Sequence, residues 1–259
     1  MIFGRTMARD RARGHSPAPF TPRSIANLVG WWNASVLGLA DLDPISSIRD
    51  QSGKGNDASQ GTSSKRPTFR VEIVNGRAIA RFDGVDDALT GSTSVSAGTA
   101  LTYLAVLKAP GATAYGTAVS MGIATGNQEF GMIADGGGTN MAISNFAGPT
   151  ATDGDRYTTT ANNSWHVCSI VYAPTATPEI RKDGGSALGF TTAIGDWTTV
   201  NINNGGASYP FALGSAAGGA AAPGSFDLAM AMIYDRALSD AERSQLERWL
   251  GSLYGIAVT

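Results

Sequence analysis

Asp83, Asp86 and Asp87 lie close enough along the chain to offer carboxylate oxygens to one cation. Hard anionic donors of this kind suit Ca²⁺, which takes roughly six to eight oxygens. The spacing is not that of an EF-hand, and aspartates beside Gly84 also form ordinary turns, so both readings stand. Asp50, Asn56 and Asp57 pose the same choice within the Gly-, Ser- and Asn-rich stretch 48–68. There, side chains that cap their own turns are the favoured reading. Nucleophilic chemistry has less to work with. The histidines are His15, near the start, and His166, inside an apolar strand pattern. Cys168 is the sole cysteine, which excludes an intrachain disulfide and a cysteine-based metal site. His166 and Cys168 read as satisfied core residues rather than a reactive pair. No phosphate-cradling G-x-x-x-x-G-K-[ST] run and no dinucleotide fingerprint is present.

Binding needs surfaces rather than nucleophiles. Trp197, Tyr157 and Tyr209 lie near polar stretches such as 201–206 and are the candidate ligand-binding aromatics. A sugar stacks its apolar face on such a ring while its hydroxyls bond to Asp and Asn.

The elements that must position these residues are mostly strands. Charged residues make up only 15% of the 259 residues and there are 33 glycines, a balance that favours strands and tight turns over helices. All-β sandwiches reach this length as one unit, and no internal linker divides the chain. The apolar runs fall short of the ~18 residues of a spanning helix, and the start lacks the apolar core of a secretory signal. A soluble protein made in the cytoplasm is expected. The first twenty residues hold Arg5, Arg9, Arg11 and Arg13 against Asp10, a balance of +3 within a total of −2, which leaves −5 for the remainder. We therefore divide the chain into a basic, proline-broken arm (1–22) and a mildly acidic domain (23–259). Phe3 and the four arginines are the expected docking residues of the arm. An acidic body gives nucleic-acid binding little support.

Within the domain, Ile25 to Ser35 reads as a strand that sends Trp31 and Trp32 to opposite sides, both as core. Leu101 to Lys108 is apolar on both faces, as a covered central strand should be. Shorter strands are expected at Thr117 to Met121, Glu129 to Ala134 and Asn140 to Asn145. Ser164 to Ala173 and Glu179 to Gly184 read as a pair, with Trp165, Val167 and Val171 on one face and His166, Cys168, Ile170 and Tyr172 on the other. The last strand predicts Phe226, Leu228, Met230, Met232 and Tyr234 on one face and Asp227, Ala229, Ala231, Ile233 and Asp235 on the other. It runs into Ser239-Asp240-Ala241-Glu242, a capping box, and a helix carrying Leu246, Trp249, Leu250, Leu253 and Tyr254 that Gly255 closes.

The blocks FDLAMAMIYDRALSDAE with LYGI, DQSGKGNDASQ with RPT, IARFDG and WHV with KDG resemble laminin-G-like domains of the concanavalin A-like lectin and glucanase superfamily, of the kind carried by bacteriophage virion proteins. The resemblance covers most of the chain. It implies an all-β jelly-roll sandwich with a short C-terminal helix, on a virion component made in the bacterial cytoplasm. It further implies a lectin-like surface for host polysaccharide, contacts with other virion proteins through the arm, homo-oligomers in the particle, and no cofactor beyond possible calcium. Two alternatives remain: a purely structural virion subunit without a ligand, and a divergent glycoside hydrolase. Laminarinase-type relatives set carboxylates on one strand as E-x-D-x-x-E, so that acid and nucleophile flank one bond roughly 5 Å apart. This chain has Glu72, Glu129, Glu179, Glu242 and Glu247, none of which begins that pattern, so a non-enzymatic protein is expected.

Overall fold

The computed structural model describes residues 19–93, 100–109, 116–123, 128–134, 141–145, 156–157, 163–173, 176, 178–188, 190–192, 209–215 and 223–259. Side chains are described throughout these ranges except at 92–93, 116, 122–123, 128–134, 141–145, 156–157, 190–192 and 209–210. The strands are β1 (Leu28–Asn33), β2 (Ser47–Ile48), β3 (Ala58–Ser59), β4 (Thr68–Val74), β5 (Arg77–Asp83), β6 (Leu89–Thr93), β7 (Leu101–Lys108) and β8 (Gly116–Ile123). They continue as β9 (Gln128–Ala134), β10 (Met141–Asn145), β11 (Arg156–Tyr157), β12 (His166–Tyr172), β13 (Glu179–Lys182), β14 (Phe190–Thr192), β15 (Tyr209–Leu213) and β16 (Ser225–Tyr234), before helix α1 (Asp240–Tyr254).

Two antiparallel sheets result. One runs β13-β12-β7-β16-β5-β4, with β1 also paired to β16; the other runs β14-β11-β10-β9-β8-β15-β6-β3-β2. Strand β16 is long enough to hold three partners: β7 along one edge, and on the other β5 beside its first half and β1 beside its second. Their facing sides enclose a core in which Trp32 lies 4.4 Å from Phe211 and Phe82 stacks on Phe226 at 4.7 Å, centroid to centroid. Helix α1 covers the outer side of the first sheet, where Leu246, Leu250 and Tyr254 meet Leu104, Val106, Val167 and Met232. The architecture is a jelly-roll-like β-sandwich with one short C-terminal helix, as expected from the sequence.

One expected face is corrected. The pairing of β16 slips between Leu228 and Met230, so Ala229 forms a β-bulge and the alternation changes sides there. Phe226 and Leu228 enter the core between the sheets together with Ala231 and Ile233, whereas Met230, Met232 and Tyr234 face the helix with Ala229. A strict period of two cannot cross a bulge. On β12 the expected division holds, with Val167 toward the helix and Cys168, Ile170 and Tyr172 inside. Trp32 is likewise internal, and Trp31 packs edge-on against Trp249 of α1, 6.1 Å away.

The helix is held by more than its apolar stripe. Ser239 accepts from the Glu242 amide and its own amide donates to the Glu242 carboxylate, while Gly255 closes the helix at φ 69°. Arg243 and Glu247, both buried, share the apolar face. Arg243 donates to Ser169 Oγ at 2.6 Å and Glu179 Oε1 at 2.6 Å, and Ser169 donates to Glu247. This network locks α1 to β12 and β13. Removing one partner would strand a buried charge.

Candidate functional site

Two aspartate-rich turns and the groove beside one of them hold the polar chemistry of the described residues. The first turn, 50–57, is organised by Asp50, which is 6% exposed. Its Oδ1 accepts from the Trp31 and Ser52 amides at 3.0 and 2.7 Å, and its Oδ2 accepts from Ser52 Oγ and the Asn56 amide at 2.6 and 3.1 Å. Asp57 in turn accepts from the Asp50 amide at 2.8 Å. The turn-capping reading of Asp50 and Asp57 is therefore what the structure has, and no lone pair of Asp50 is spare for a cation in this geometry. Gly53 and Gly55 sit at φ 90° and 78°, the left-handed conformation that lets the loop reverse direction around Lys54.

Beside this turn lies a groove with a cavity volume of about 360 Å³, lined by Asn27, Val29, Lys54, Asn56 and Asp235. Its walls are fixed by hydrogen bonds. Asn27, at φ 70°, donates from Nδ2 to Asp235 Oδ1 at 2.7 Å, and its carbonyl accepts from the Asp235 amide at 3.0 Å. Asn56 donates from Nδ2 to the Val29 carbonyl at 2.6 Å, and its own carbonyl accepts from Trp32 Nε1 at 2.8 Å. These bonds join loop, first strand and last strand into one rim.

The second turn follows β5. Carboxylate oxygens of Asp83, Asp86 and Asp87 all lie within 4.8 Å of one another, and this is the one such group of potential metal ligands among the described residues. Asp83 Oδ1 accepts from the Val85 amide at 2.8 Å and the Asp86 amide at 3.4 Å, and Asp87 Oδ2 accepts from the Asp83 amide at 3.0 Å. Both sequence readings thus coexist in one turn. Burial pushes the Asp87 carboxyl up to about 6, with the Asp83 and Asp86 charges adding to the rise against the bond from the Asp83 amide. A hard divalent cation fits this donor set: Asp86 keeps both oxygens, and Asp83 and Asp87 keep one each, with water left to fill the remaining positions. Next to the turn, Thr68, Arg81, Phe82, Asp83, Ser225, Phe226 and Asp227 line a smaller cavity of about 220 Å³. Arg81 and the buried Asp227 close it with a two-pronged pair at 2.7 and 2.8 Å.

The remaining candidates divide as follows. Trp197 and the arm residues Phe3, Arg5, Arg9, Arg11 and Arg13 lie outside the described residues. Tyr157 is on β11 and Tyr209 on β15, with their side chains also outside the description. Of the potential nucleophile and base, Cys168 is buried and desolvation pushes its thiol up, while His166 Nδ1 lies 2.7 Å from Asp183 Oδ2. The groove residues Asn27, Lys54 and Asp235 were not legible as a set. The local signal was Lys54 raised between two glycines; what joins it to Asn27 and Asp235 is tertiary.

The two-sheet core and the helix on one outer face define a jelly-roll-like β-sandwich. Solved structures show the same fold. Trypanosoma rangeli sialidase in complex with sialic acid matches at a TM-score of 0.55 and 15% identity, over 88% of this chain and 35% of that one. The binding domain of Paraclostridial Mosquitocidal Protein 1 matches at 0.54 and 12%, over 86% and 52%. The Botulinum Neurotoxin serotype G binding domain matches at 0.52 and 14%, over 83% and 54%. The chain thus spans about a third of the sialidase and about half of the toxin domains. No protein-family model and no curated protein matches the sequence.

Proposed function

We propose that this chain is a non-catalytic, lectin-like module on the surface of a bacteriophage particle, where it attaches the particle to host surface polysaccharide. The observation that carries the reading is the lectin-like sandwich itself, with a preformed polar groove among its loops. The sequence blocks that resemble virion laminin-G-like domains supply the particle. The named binding-domain neighbours make recognition a reasonable use of the fold.

Three of the four glutamates with described side chains support a non-catalytic role, the fourth, Glu72, being exposed on β4. Glu179 pairs with Arg181 and Arg243, Glu242 caps α1 and pairs with Arg236, and Glu247 is buried against Arg243 and Ser169. They fasten the helix instead of flanking a cleft. We assign particle docking, with other virion proteins and further copies of this chain, to the basic arm. The described end of the arm already touches the body, since Phe20 meets Trp249 edge-on at 6.1 Å and Tyr234 donates to the Pro22 carbonyl at 3.0 Å. A chain starting at Pro19, which keeps both contacts, should keep its melting transition and fail to join particles. Unchanged assembly would remove the arm's assigned role.

The test of function is a glycan array that includes host surface polysaccharide, paired with an assay for new reducing ends. Retention without cleavage is the expected outcome. Cleavage abolished by a single carboxylate substitution would make the protein a hydrolase, and absence of retention would leave a structural subunit.

A further inference from the structure

We propose that the groove between Asn27, Lys54, Asn56 and Asp235 binds an acidic saccharide residue, with Lys54 receiving the sugar's carboxylate and Asp235 its hydroxyls. The proposal rests on the lectin-like reading above and gives that reading a place and a ligand class.

The argument begins with what each group has left to offer. Asp235 Oδ1 is occupied by Asn27, and Oδ2 remains able to accept from a hydroxyl. Asn56 spends its amide nitrogen on the Val29 carbonyl, which fixes the group's orientation and leaves Oδ1 as an acceptor. The Lys54 ammonium is exposed and has no hydrogen bond or ion pair among the described residues. Val29 is the apolar lining residue, beneath this polar rim. A cation and hydroxyl acceptors around one groove complement a ring bearing several hydroxyls and one carboxylate. A neutral sugar would use the acceptors and leave Lys54 to water, and a simple anion would leave the acceptors unused.

The rim is also rigid, which limits the ordering cost of binding. Asp50 clamps the loop through four hydrogen bonds, and Arg23 donates to the Gln51 carbonyl at 2.6 Å, bringing a second positive charge to the same loop. Attraction of an acidic sugar to that pair of cations is local, against a body of net negative charge, and weakens with salt.

Saturation-transfer NMR on the full chain tests this with D-glucuronate, D-galacturonate and N-acetylneuraminate, and with D-glucose as the neutral arm. At least one acidic sugar should bind about tenfold more tightly than glucose, the worth of one charge-assisted contact. Lys54→Met should remove that advantage. Asp235→Asn, which keeps an oxygen for Asn27, should weaken the acidic and neutral sugars together. Both variants should melt with the unmodified chain, because Lys54 is exposed and the Asn27 bond is retained. Binding that is indifferent to Lys54→Met, or no preference for any acidic sugar over glucose, overturns the proposal. If host polysaccharide retains the Lys54→Met chain as well as the unmodified one, attachment stands and this groove is not its site. If it retains neither, attachment itself fails.

Discussion

The two turns 50–57 and 83–87 both combine aspartates with glycine, and they satisfy those carboxylates very differently. In the first, one buried carboxylate receives four donors and the charge is fully solvated by the protein. In the second, three carboxylates crowd within 4.8 Å and receive three backbone amides between them, one of these bonds long at 3.4 Å. The first turn is a scaffold that can hold a neighbouring cation, Lys54, in place. In the second, Asp87 is held chiefly out of water, the Asp83 and Asp86 charges add to the cost, and a divalent cation or a proton would relieve it. Aspartate density alone therefore does not identify a metal site; the ratio of donors to charges separates the two.

The largest effect should come from the scaffold turn. Asp50→Ala leaves the part-buried Trp31, Ser52 and Asn56 amides without their acceptor and should cost about 2 kcal/mol, measured by chemical unfolding, since each fully buried orphan would cost ~1–3 kcal/mol. A loss under ~1 kcal/mol would show that water replaces the carboxylate easily.

Asp87→Asn should act in the opposite direction and depend on pH. Because the folded carboxyl titrates near 6 and an unfolded aspartate near ~4, the favourable state is fully present below about pH 4 and is lost as pH rises through about 6. At pH 8 the substitution should therefore stabilise the protein by ~1–2 kcal/mol, with the gain vanishing by pH 4. A pH-independent gain would mean that ionising the buried Asp87 carboxyl carries no such cost.

Smaller again is the response to metal. Ca²⁺ should raise the melting temperature by a few degrees, on the order of 1 kcal/mol, more at pH 8 than at pH 5, and Asp86→Ala should abolish the rise. Calorimetric titration that detects neither heat nor a shift would leave these aspartates as turn formers. Least of all, Lys54→Met should change stability by less than ~0.5 kcal/mol, since an exposed lysine with no partner among the described residues supports no neighbour.

Much of the fold was legible because its signals are local. The capping box at Ser239, the opposed Trp31 and Trp32, and the doubly apolar β7 each follow from periodicity within one element. The bulge at Ala229 was not legible, because the slip is set by pairing with β7 and not by any residue of β16 that favours a bulge. Arg243 and Glu247 fall at helical spacing with Leu246, Leu250 and Tyr254, but the sequence shows no partner for two charges on that face; Ser169 and Glu179 on neighbouring strands make their burial tolerable. Among site residues, Asp83, Asp86 and Asp87 were visible through proximity in sequence. The groove joins Asn27 to Asp235 across 208 positions, a distance no local pattern spans.

The central claim, attachment to host polysaccharide, is tested most directly by depletion of the full chain from solution by host cells. Cells bearing their surface polysaccharide should deplete the protein. Cells stripped of it enzymatically, or unable to make it, should leave it in solution, and soluble polysaccharide should compete. Equal depletion by intact and stripped cells, or none by either, would contradict the account.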